Sequence, residues 1–174
     1  MPASSYKLSS LGLPVFTPSL LFGIAEGGLL PIIPASAQAM GASLPTAGII
    51  LGLVMIGTLV ADIPAARLIN ILGERKAMMT AAAVASVGVF TALLATTLWV
   101  LGLGVFIFGA SVAVFGLARH SYLTEIVPYS HRARALSILG GVFRAGHFIG
   151  PLIGAALIVL IDLQAVYWNA VIFC

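Results

Sequence analysis

Long apolar stretches alternate with short polar ones along almost the whole chain, and the apolar stretches are far longer than the strands of a soluble sheet. A helix needs about 20 apolar residues to cross a hydrocarbon core about 30 Å thick. Five stretches meet that length, at about 13–33, 44–65, 77–98, 101–118 and 135–161, and a sixth begins near residue 165. Pro14 and Pro18 fall in the opening turns of the first stretch, where a missing N–H costs little. Pro31 and Pro34 fall at its far end and predict that the helix loosens there. The sixth stretch, 165–174, would reach only about 15 Å at 1.5 Å per residue, so the pattern predicts a last span cut short at Cys174.

Composition supports this. Apolar residues make up 61% of the 174 positions and charged residues 7%, against about 25% in a soluble domain. A chain so poor in charge cannot cover itself for water, and the lipid bilayer is the expected solvent. The first apolar stretch is too long for a secretory h-region and contains Glu26, which argues against a cleaved signal. The basic residues are not clustered on one face, so no nucleic-acid partner is expected. Cys174 is the single cysteine, which excludes an internal disulfide. No metal-ligand spacing is present, and no cofactor is expected.

Charge placement sets the orientation. Lys7 precedes the first span; Arg67, Arg75 and Lys76 lie between the second and third; Arg119, Arg132 and Arg134 lie between the fourth and fifth. Seven of the eight basic residues thus fall on one side, which the positive-inside rule assigns to the cytoplasm together with the N-terminus. The expected location is a plasma (inner) membrane. Spans one to three and four to six have similar layouts, and an odd-numbered unit repeated once must insert inverted, the plan of many secondary transporters. The fold expected is therefore an all-α membrane protein with five complete spans, a partial sixth and a three-plus-three inverted repeat.

Ionisable residues inside spans are costly and need a partner or a purpose, at about 2.5 kcal/mol or more each. Glu26 lies midway along span one, and Arg144 and His147 lie three apart on span five. Two readings follow, and both can hold. One is a structural Glu26–Arg144 ion pair joining the two spans. The other is a polar patch in a central cavity, with Glu26 or His147 carrying a proton. Asp62 is expected to anchor the inner end of span two near Arg67, and Glu125, His120 and His131 are expected in a solvated loop. Gly23, Gly27, Gly48, Gly52, Gly102, Gly109, Gly116, Gly146, Gly150 and Gly154 are spaced to let helices pack closely. Pro151 should bend span five.

The stretch Gly146-His147-Phe148-Ile149-Gly150-Pro151-Leu152-Ile153-Gly154-Ala155 resembles the antiporter signature of the major facilitator superfamily, with Ala155 in place of its final glycine. Gly73-Glu74-Arg75-Lys76 is similar to the end of the family's inner-loop signature, with Leu68 fitting, Asn70 in the acidic position and Ala66 at the first glycine. The segment Arg119–Glu125 through Arg132–Ala135 also resembles the family's connection between helices four and five. The helix-four arginine signature is absent: aligning on Gly109 puts Val105 and Phe108 at its positions, and Arg144 is a candidate substitute for the buried charge.

The resemblance covers essentially all of 1–174 and implies the N-terminal transmembrane domain of such a transporter. It implies proton-coupled export of a small organic solute by alternating access, with the bend at Pro151 helping to close the cavity. It also implies a gating role for Asn70, Gly73, Arg75 and Lys76, weakened because Asn70 carries no charge. Import is the alternative within transport. A non-transporting assembly protein and a truncated inactive remnant are the alternatives outside it. The expected partners are lipid, the solute, and a C-terminal half or second chain that supplies the facing wall. No enzymatic grouping is present.

Overall fold

A computed structural model describes residues 15–174. Lys7, Pro14 and the predicted start of span one at Leu13 lie outside the described residues. Six helices follow in order: α1 (Thr17–Ala39), α2 (Leu44–Leu72), α3 (Glu74–Leu93), α4 (Leu98–Ile126), α5 (Tyr129–Leu160) and α6 (Leu163–Phe173), with no strand among the described residues. Helices α1 to α5 are long and apolar enough to cross a membrane, while α6 is a shorter apolar helix.

Several helices outrun the apolar stretches that predict them. α1 continues through Pro31 and Pro34 to Ala39, and its last turns bury Ile32, Ile33, Ser36 and Ala37. α4 continues eight residues past the predicted end at 118, so Arg119, His120 and Glu125 are helical rather than in a loop. Backbone groups in lipid have no water to turn to, and extending the helix satisfies them within the segment. The connections are correspondingly short and carry the local signals that end a helix. Ser43 caps α2 by accepting from Thr46 N (3.4 Å), and Asp162 caps α6 by accepting from Ala165 N (2.8 Å). Gly73 alone joins α2 to α3, at φ 77°, a conformation that a side chain would strain.

α1 is the most enclosed helix and α5 the least. The main contacts run between α2 and α4, α3 and α4, and α1 and α5, with α1 also touching α6 and α2. Exchanging α1 with α4, α2 with α5 and α3 with α6 turns the α1–α5 contact into α4–α2 and the α1–α6 contact into α4–α3. Both halves therefore pack by one plan, as a repeated three-helix unit requires. Phe22, Leu29, Ile33, Val54, Val89, Leu101, Val105 and Phe108 fill the space between α1, α2, α3 and α4. The outward faces of α2 (Ile49, Leu59, Ile63) and α5 (Phe148, Leu152, Val159) are apolar and uncovered.

Candidate polar site between helices one, four and five

The site begins with a close helix crossing. A Cβ on Gly27 would sit 2.6 Å from His147 O, one on Gly23 would sit 2.7 Å from Phe143 O, and one on Gly146 would sit 2.5 Å from Leu20 O. A Cβ on Gly150 would overlap Ile24 O. Glycine is required at these positions because the backbones themselves touch. Gly154 is looser, 3.6 Å from Val166 on α6. Pro151 continues this face half-buried, inside an α5 that runs unbroken to Leu160.

That contact brings Glu26 and His147 together. Glu26 is 7% exposed, and its Oε2 lies 3.1 Å from His147 Nε2, an ion-pair distance, with neither atom in line for a hydrogen bond. Arg144 does not take this position. Each residue turns a helix by about 100°, so a face centred on Phe143, Gly146, His147 and Gly150 leaves Arg144 turned away, exposed and without an ion pair among the described residues. The expected Glu26–Arg144 pair is replaced by Glu26–His147.

The buried positive charge is Arg119. It is 7% exposed on α4, where the sequence pattern predicts a loop. Its Cζ lies 3.8 Å from the centre of the Phe143 ring and 5.9 Å from that of Phe115. Phe115 stacks on Phe22 at 4.1 Å, and Phe143 lies against His147 at 4.8 Å. Glu26 and Arg119 interact electrostatically, while Arg119 Nε and Nη1 have no hydrogen-bond partner among the described residues. Each of the three helices thus supplies an aromatic residue and a polar one four positions later: Phe22 and Glu26, Phe115 and Arg119, Phe143 and His147. Side chains at that spacing share a helix face. The repeated spacing is the signal that finds Arg119, and it becomes visible only once 119 is known to be helical.

The remaining candidates stand apart. Asn70, Arg75 and Lys76 are exposed around the α2–α3 connection, and no hydrogen bond or ion pair joins them among the described residues. Asp62 is also exposed, without an ion pair to Arg67. Arg75 does border a cavity of about 520 Å³ with Thr17, Leu21, Met78, Phe115 and Tyr122. Nearer the other end of α1, Ser36 and Tyr167 share a buried hydrogen bond of 2.8 Å that ties α1 to α6. Among the described residues, no three His, Cys, Asp or Glu side chains gather as a metal site would require.

A family profile described as Major Facilitator Superfamily matches residues 15–174. Uncharacterized MFS-type transporters from two strains of Mycobacterium tuberculosis are 23% identical over 159 residues, which is 88% of this chain and 23% of theirs. A class H tetracycline resistance protein of Pasteurella multocida is 40% identical over 62 residues, 36% of this chain and 15% of its own. The chain therefore spans about a quarter of the length of its mycobacterial relatives.

Proposed function

The chain belongs to the major facilitator superfamily, and from that premise we propose that it forms one wall of a proton-coupled exporter of a small organic solute. It is a multi-pass membrane protein. Its activity would belong to an assembly in which a second half or a second chain supplies the facing wall, with the solute bound between them near the midplane. The observation that carries this reading is the Glu26–His147 pair, enclosed where α1 and α5 touch. A carboxylate beside an imidazole can share and pass on one proton, and the pair lies at the crossing that the Pro151 segment shapes. Rocking of α5 against α1 would then change access to the pair, as alternating access requires. The export direction is supported by the helix-five signature and by the short match to the tetracycline resistance protein. Asn70, Gly73, Arg75 and Lys76 would act at the inner gate, with Gly73 as the pivot between α2 and α3.

Arg119 favours a second reading, import. A solute with negative charge placed near Arg119 would be held more tightly when Glu26 is protonated, so proton and solute would bind together rather than in turn. We place the protein in the plasma membrane with its N-terminus and the α2–α3 and α4–α5 connections in the cytoplasm.

The test uses the gene's full product in membrane vesicles carrying an imposed pH gradient, with tetracycline as the first solute. Export predicts that the solute moves against the proton flow and that Glu26→Gln abolishes the effect of the gradient. Solute movement along the proton flow selects import. A pH response unchanged in Glu26→Gln rejects Glu26 as the carrier.

A further inference from the structure

The transport reading gives Glu26 and His147 their work and leaves Arg119 Nε and Nη1 without a hydrogen-bond partner among the described residues. The guanidinium is enclosed, yet its Nε and Nη1 donate to nothing. The groups facing it are few. α4 contributes the Phe115 ring, α5 the Phe143 ring, and α1 the Glu26 carboxylate. Glu26 acts on Arg119 only through space, because its Oε2 is set against His147 Nε2 instead. When His147 is protonated, its charge cancels that of Glu26, and Arg119 becomes the uncompensated cation of the cluster. Phe143, 3.8 Å from Cζ, holds the guanidinium against a ring, and its Nε and Nη1 protons have no acceptor among the described residues. A fixed N–H edge of this kind matches a carboxylate in two parallel hydrogen bonds, which an ammonium cannot copy.

We propose that Arg119 binds the anionic group, a carboxylate or sulfonate, of the solute this protein carries, with Phe143 fixing the plane of the guanidinium. The proposal rests on the transport reading of the same site and develops its import form, in which anion and proton bind together. It deepens that reading by naming the group that holds the solute's anion and the ring that orients it. Glu26 and the solute's anion face one cation, so removing the Glu26 charge strengthens anion binding.

The test follows thermal unfolding of the purified full chain in detergent, with benzoate, benzamide and benzylamine as probes that share a ring and differ in charge. Benzoate should raise the melting temperature saturably, and the other two should not. Arg119→Lys should weaken the benzoate response by about tenfold to a hundredfold, Arg119→Gln should abolish it, and Glu26→Gln should tighten it. If Arg119→Gln fails to fold, the lysine and Glu26→Gln variants carry the test alone. A benzoate effect no larger than that of benzamide overturns the proposal, as does preferential stabilisation by benzylamine. So does a benzoate response unchanged in Arg119→Lys. Vesicle transport separates this from the reading beneath it. An Arg119-dependent benzoate response without any proton-driven solute movement would sink the transport reading and support the anion site. Proton-driven movement with no benzoate response would sink the anion site alone.

Discussion

Among the described residues, Glu26 has one titratable side chain within ion-pair distance, and that side chain is partly open: His147 is 32% exposed. Removing one partner of an enclosed pair strands the other, which costs more than the pair itself contributes. His147→Ala should therefore destabilise the protein by about 1–3 kcal/mol, Glu26→Gln should cost less, and the double variant should cost less than the sum. A double-mutant cycle by unfolding in mixed micelles measures this, and an additive result would mean that the two groups do not interact. Tyr167→Phe tests the other buried polar contact. It strands the Ser36 hydroxyl between α1 and α6 and should cost about 1 kcal/mol in the same assay. The sequence made Glu26 and His147 legible because charge is rare in spans. It did not make their pairing legible, since Arg144 and His147 are near neighbours on α5 and only the glycine face decides which of them turns toward α1. Arg119 was hidden for another reason. It follows the last strongly apolar stretch of α4, and hydropathy stops where the helix does not.

At the scale of helices, the glycines separate into two kinds that spacing alone cannot tell apart. Gly109 lies against the Val54 backbone and Gly150 against Ile24, with no room for a methyl group, while Gly48, Gly52 and Gly116 have nothing within 4 Å of where a Cβ would stand. Gly150→Ala and Gly109→Ala should each cost about 1–3 kcal/mol through displaced backbone, and Gly150→Ala should also perturb the Glu26–His147 contact. Gly48→Ala and Gly116→Ala should be neutral or stabilising by up to about 1 kcal/mol, because alanine is the better helix former. Unfolding midpoints for the four variants check the ordering, and equal losses would mean that the α1–α5 and α2–α4 crossings are not as close as described. The number of helices was readable from hydropathy, and so was the short α6. Their ends were not. α1 passes two prolines because its last turns are packed against neighbours, and tertiary contact of that kind leaves no mark in local sequence.

For the whole molecule, orientation depends on which basic residues stand at the membrane surface. The burial of Arg119 among α1, α4 and α5 removes it from the cytoplasmic count, and Arg144 lies midway along α5. Lys7, Arg67, Arg75, Lys76, Arg132 and Arg134 remain. The last five flank the α2–α3 and α4–α5 connections, whereas the α1–α2, α3–α4 and α5–α6 turns hold no Lys or Arg. The bias does not depend on the buried residue, and by the positive-inside rule it supports the proposed cytoplasmic placement of the basic connections. The two exposed positions Thr96, between α3 and α4, and Ser130, at the start of α5, report opposite sides. With Cys174 replaced by serine, Thr96→Cys should react with a membrane-impermeant maleimide on intact cells. Ser130→Cys should react only after the cells are permeabilised. The reverse pattern would place the N-terminus outside and turn the polar site over in the membrane. Glu26 would then meet the proton gradient from the opposite face, and the proposed direction of transport would have to be reversed with it.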